Sequence, residues 1–217
     1  MERNFVYLNQ GGGKFQGGLL LGAALNDEGQ AVSSMGCDVR DYDNDGWPDI
    51  FYNDLAGQTF GLFHNEAGQG FRYVSQQTGV ERISRRFSGW GAAFADFDND
   101  GWKDIYSANG HVDDVGMNTA QRDTIFRNTG GRTFVDVSLA MGKDFIRTGY
   151  QRGAAVGDLN NDGFPDLVVS SLGQRPRILI NSGVPGNHWI TIALTGVHSN
   201  RDAIGATVKV TTRSGRA

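Results

Sequence analysis

A single cysteine, Cys37, leaves the chain without an internal disulfide framework. Proline is scarce as well, with four in 217 residues. Glutamate, a good helix former, occurs only four times, whereas aspartate, a turn and ligand residue, occurs twenty times. No stretch approaches the roughly 18 apolar residues of a membrane-spanning helix, so membrane insertion is not expected. Met1-Glu2-Arg3-Asn4-Phe5 opens without the apolar core of a secretion signal. The net charge of −4 is too weak to imply a nucleic-acid or membrane partner. The histidines His64, His111, His188 and His198 show no metal-ligand spacing. No Ser-His-Asp order, phosphate-cradling loop or dinucleotide fingerprint is present. Gly11-Gly12-Gly13 lacks the strand-to-helix context of a phosphate loop.

What is abundant is glycine, thirty-two residues of it, alongside 39% hydrophobic residues. Many tight turns with apolar filling between them point to an all-β fold. Three segments align without gaps: Gly36 to Ile50, Gly91 to Ile105 and Gly153 to Leu167. Their first loop aspartates, Asp41, Asp96 and Asp158, are spaced by 55 and 62 residues. A second signature follows each: Leu62-Phe-His-Asn65, Ile125-Phe-Arg-Asn128 and Ile178-Leu-Ile-Asn181, with an early copy at Val6-Tyr-Leu-Asn9.

Each repeat reads as four short strands, which suits a propeller blade. The first leads into the aspartate loop, the second leaves it, the third ends at the asparagine, and the fourth carries a phenylalanine after a glycine. The first strand would line the crowded central channel. Gly36-Cys37, Gly91-Ala92 and Gly153-Ala154 supply the small residues needed there, and Cys37 is expected to be buried. The expected fold is a partial all-β propeller over residues 1–184, with half a blade in 1–18 and then three blades. A β segment that starts a second domain is expected over 185–217. Three blades and a half fall short of the usual 4–8, so the chain is expected to be an excerpt of a longer protein or a truncated gene product.

Within the loops, Asp41, Asp43, Asp45 and Asp49 occupy positions 1, 3, 5 and 9. Asp96, Asp98, Asp100 and Asp104 repeat the pattern, and Asp158, Asn160, Asp162 and Asp166 repeat it with one amide. Gly46, Gly101 and Gly163 at position 6 permit a sharp turn, and the carbonyls of Trp47, Trp102 and Phe164 at position 7 complete the set. Hard oxygen ligands in this number suit Ca²⁺, up to three ions in all. An EF-hand would need a glutamate at position 12, where Tyr52, Ser107 and Val169 stand instead. Asn160 leaves the third loop one charge poorer, so it is expected to bind most weakly. Trp47, Trp90 and Trp102 read as blade packing rather than a sugar platform.

Gly-Ala-Ala-x-x-Asp-x-Asp/Asn-x-Asp-Gly-x-x-Asp-Ile/Leu resembles the FG-GAP/VCBS repeats of calcium-binding propellers, closer to the VCBS variety because Ala93 and Ala155 replace proline. Asn187 to Gly196 and Ser199 to Ala206 resemble the start of an ASPIC/UnbV domain, the companion of such propellers in the cartilage acidic protein family and its bacterial relatives. The resemblance implies a secreted, surface or periplasmic calcium-binding module for adhesion or interaction, not an enzyme. The alternative it leaves open is a propeller scaffold for carbohydrate or phosphate processing. A partner face is expected opposite the calcium loops, where Arg82, Arg85, Arg86, Lys143, Arg147 and Arg152 gather with the long His111–Gln121 loop. Its expected ligand is an extracellular protein or an anionic glycan.

Overall fold

The computed structural model describes residues 2–112 and 119–210. Short, glycine-punctuated β segments pair with their sequence neighbours, as consecutive elements usually do. A hairpin of β1 (Tyr7–Asn9) and β2 (Phe15–Gly17) comes first. A four-stranded sheet follows, made of β3 (Cys37–Arg40), β4 (Asp49–Tyr52), β5 (Gly61–Asn65) and β6 (Phe71–Tyr73). Two short helices, α1 (Ser75–Thr78) and α2 (Val80–Ser84), lead to a second four-stranded sheet. That sheet holds β7 (Gly89–Ala95), β8 (Asp104–Asn109), β9 (Thr124–Asn128) and β10 (Phe134–Asp136). The last sheet has β11 (Gln151–Gly157), β12 (Asp166–Ser171) and β13 (Arg177–Leu179). All pairings are antiparallel and in sequence order, consistent with a partial, propeller-like all-β fold.

The middle sheet is buried on both faces, and the two-residue period sorts its side chains. Phe94, Ile105 and Phe126 point into one cluster with Phe51, Phe60 and Leu62 of the preceding sheet. Their sequence neighbours Ala93, Tyr106 and Ile125 point into a second cluster with Leu167 and Val169 of the following sheet. This is why β8 is buried along its whole length rather than at alternate residues. Val74, Val80, Ile83 and Phe87, from the connection between the first two sheets, close the bottom of the first cluster.

The inner strands β3, β7 and β11 crowd together as the repeat pattern requires. A Cβ at Gly36 would collide with the Trp90 carbonyl, and one at Gly91 would sit 2.7 Å from the Ala154 nitrogen. The Phe94 N–H donates to Asp38 Oδ2 across the same gap, at 2.8 Å.

Three expectations are corrected. Cys37 is exposed, because no preceding inner strand covers β3 among the described residues. The last sheet has three strands rather than four. The C-terminal segment expected to be β holds no strand over its described residues, 185–210, and Ile190, Val197 and Ile204 there are exposed. Residues 113–118 of the long loop expected at the partner face lie outside the described residues.

Candidate metal centre

Each aspartate loop is the β-hairpin turn between the first two strands of its sheet. Three loops of similar sequence are wired identically. The position 1 carboxylate accepts two backbone N–H groups from within the turn. Asp41 takes those of Asp45 and Gly46 at 3.1 and 2.8 Å, Asp96 those of Asp100 and Gly101 at 2.9 and 2.8 Å, and Asp158 those of Asp162 and Gly163 at 3.1 and 2.9 Å. The position 5 carboxylate accepts the N–H of position 7: Asp45 from Trp47, Asp100 from Trp102, Asp162 from Phe164. The turn also needs left-handed backbone twice, at position 6 (Gly46, Gly101, Gly163) and at position 4, where Asn44, Asn99 and Asn161 have φ of 59°, 53° and 60°. Asparagine tolerates that region better than most residues.

The position 9 aspartates are the most buried, Asp49 at 0%, Asp104 at 2% and Asp166 at 1% exposure. Each spans the blade. One oxygen accepts from the start of the loop (Tyr42, Phe97 or Leu159), the other from the asparagine ending the third strand (Asn65, Asn128 or Asn181). Burial, partly offset by those two N–H groups, pushes the Asp49 carboxyl up to about 6, with the Asp43 charge adding to the rise. Burial also pushes Asp104 up to about 7, with Asp98 and Asp100 adding. Asp43 and Asp96 are raised too, again by burial first and neighbouring carboxylates second. Such crowded carboxylates favour a cation among them.

The structure brings Asp41, Asp43 and Asp45 together, and likewise Asp96, Asp98 and Asp104, with ligand oxygens within 4.8 Å of one another. Asp43 and Asp49 also converge with His64. One Asp43 oxygen, Oδ1, is buried without a hydrogen-bond partner. A set of hard oxygens with an unsatisfied buried carboxylate atom fits a calcium ion. In the third loop Asn160 interrupts the carboxylates, and its amide donates to Asp162 Oδ2 at 2.8 Å. The position 7 rings pack under the next turn of their own sheets: Trp47 by Gly68, Trp102 by Gly131 and Phe164 by Gly183.

Sequence reasoning missed six contributors. His64 is one of the histidines whose spacing suggests no metal site. Its Nδ1 lies 3.2 Å from Asp43 Oδ2 and 3.4 Å from Asp49 Oδ1, and its Nε2 lies 3.8 Å from Asp45 Oδ2. Arg127, at the matching place in the second sheet, reaches Asp98 and Asp100. The signal was present, since both residues immediately precede the signature asparagine. Asn128 and Asn181 clasp neighbouring sheets, donating to the carbonyls of Tyr42 and Phe97 in the preceding loops at 2.9 and 2.7 Å. Asn44 and Asn99 make the complementary bond forward, to the carbonyls of Gly101 and Gly163.

At the opposite end, the connections between sheets meet those between second and third strands. Gly57 N–H donates to the Arg85 carbonyl, and Gln121 Nε2 donates to that of Arg86. Arg82, Arg86, Lys143 and Arg147 are exposed. Arg85 is paired with Glu81, and Arg152 is half-buried and occupied. The Arg152 guanidinium lies 4.1 Å from the centroid of the Trp90 ring and donates to the carbonyls of Gly110, His111 and Gln151. Trp90 is thus packing, as read from the sequence, and Arg152 is a clamp rather than a free charge. Among the described residues no helix is long and apolar enough to cross a membrane.

A family model described as an FG-GAP-like repeat matches residues 41–107 and 108–169. No curated protein matches the chain significantly.

Proposed function

The chain belongs to the FG-GAP-like repeat family, and from that premise we propose that it is a calcium-binding, extracellular propeller module serving interaction rather than catalysis. The observation that carries this reading is the convergence of Asp41, Asp43 and Asp45, and of Asp96, Asp98 and Asp104, on identically built turns. The ion would be held by positions 1, 3, 5 and 9 of each loop. It would neutralise the crowded carboxylates and lock the first two strands of a blade. Affinity between about 10⁻⁶ and 10⁻³ M would suit extracellular calcium. The ASPIC/UnbV resemblance of the C-terminal segment belongs to the same proposal.

Equilibrium dialysis against Ca²⁺ tests it, and fewer than two sites would sink it. Linkage gives a second readout. An ion binding only the folded form stabilises it by about 2.7 kcal/mol at a hundredfold excess over its Kd. Asp45→Ala or Asp100→Ala should therefore destabilise the chain more in calcium than in EDTA.

For the partner, the reading is an anionic glycan or acidic protein patch against Arg82, Arg86, Lys143 and Arg147 at the end opposite the loops. Exposed charges are screened over about 8–10 Å near physiological ionic strength, so binding should weaken with salt. Arg82→Ser with Arg86→Ser should abolish retention on a sulfated glycan at low salt, and unchanged retention would remove this part alone.

A further inference from the structure

The side chain just before the blade asparagine reaches the aspartate loop in the first two sheets, as His64 and Arg127, and the third sheet has Ile180 at the matching position. Backbone N–H groups use only one oxygen of each carboxylate at positions 3 and 5 of the second loop. Asp98 Oδ1 accepts from Asp100, and Asp100 Oδ1 accepts from Trp102. The two remaining oxygens face Arg127. Its Nε lies 2.9 Å from Asp98 Oδ2 and its Nη2 3.5 Å from Asp100 Oδ2. In the third loop Ile180 brings no charge, and its half-exposed side chain cannot compete for oxygen.

We propose that Arg127 is a tethered counter-cation of the second loop, which a calcium ion must displace from Asp98 and Asp100 before binding. The inference rests on the calcium reading of the loops and deepens it. A guanidinium is permanently charged and presents its donors in a rigid fork, so one side chain engages two carboxylates together. It is also about half exposed, so it swings into water without unfolding β9. The second loop thereby keeps its order without metal and gives up ion affinity for it. Four aspartates alone make this loop the equal of the first. With Arg127 in place it binds an ion more weakly than its four carboxylates alone would.

The test isolates the second loop in the full-length chain. Asp45→Asn and Asp162→Asn keep the backbone acceptors of the other loops and remove a charge from each. In that background, Ca²⁺ affinity is measured by calorimetry with Arg127 and with Arg127→Ile, the residue type of the third loop. Two exposed ion pairs correspond to about a three- to tenfold change, so the isoleucine protein should bind that much more tightly. Arg127→Gln, of similar reach without charge, should move affinity the same way and guards against a folding defect of the isoleucine variant. Unchanged or weaker affinity in both variants overturns the proposal while the intact chain still binds calcium. No second-loop binding in any of these backgrounds, with the intact chain still binding, overturns it equally. Absence of Ca²⁺ binding by the intact chain as well overturns both this proposal and the calcium reading beneath it.

Discussion

The second and third aspartate loops share a backbone and differ in chemistry. Their position 1 and position 9 aspartates make the same hydrogen bonds within about 0.3 Å, yet one loop has four carboxylates faced by an arginine and the other has three with an amide among them. Loop shape and loop charge are therefore separate properties. Shape comes from residues that bond to the turn itself. The charge offered at the loop is set by positions 3 and 5 and by whatever the neighbouring strand points at them.

The largest expected effect tests whether the shared wiring is equally important in both loops. Asp104→Ala leaves the buried Phe97 and Asn128 N–H groups without acceptors, at about 1–3 kcal/mol each. Urea denaturation in EDTA should show a loss of about 3 kcal/mol, and Asp166→Ala should match it within about 1 kcal/mol. A loss confined to one loop would break the equivalence.

A somewhat smaller effect separates loop carboxylates from a buried one elsewhere. Asp54 is fully buried, accepts N–H bonds from Ser33 and Leu55, and leaves Oδ2 unpartnered. Burial pushes its carboxyl up to about 6. A carboxyl raised by folding contributes stability below its unfolded value of about 3.9, and loses that contribution as pH rises through about 6. Relative to Asp54→Asn, the parent chain should thus lose about 2 kcal/mol between pH 4 and pH 8. Denaturation across that range in EDTA measures the slope, and a rising difference would contradict the sign.

Smaller again is the contribution of the clasp between sheets. Asn128 bonds both its own turn and the Tyr42 carbonyl of the preceding loop, whereas Asn65 has bonds only within its own sheet. Asn128→Ala should cost about 1 kcal/mol more than Asn65→Ala by thermal or urea unfolding. The smallest change is Ile180→Arg, which copies the second loop's cation into the third. Without calcium it should shift stability by less than about 1 kcal/mol, since the new ion pair is exposed. Its measurable consequence is weaker calcium binding by the third loop.

The sequence carried the architecture far. Three aligned Asp-x-Asp/Asn-x-Asp-Gly loops, each followed by an apolar run ending in asparagine, specify hairpins and their order, because local turn chemistry and a two-residue period act over a few residues. The small residues at Gly36, Gly91 and Gly153 were legible as a crowded inner seam for the same reason. Cys37 was misjudged because its burial depends on a neighbouring strand, which no local pattern reports. The C-terminal segment alternates apolar and polar residues around Trp189, but a strand needs a partner edge, and alternation supplies none.

By itself, then, the sequence determined the repeats, the aspartate turns and the sheet order, all of which arise from contacts close along the chain. Only the tertiary structure decided which side chain hangs over which loop. His64 lies 15 residues beyond Asp49, and Arg127 lies 23 beyond Asp104. Their approach depends on third strands registering against second strands, Phe63 opposite Ile50 and Phe126 opposite Ile105. That register is a pairing between strands, so the charge it delivers to each loop could be read only once the sheets were formed.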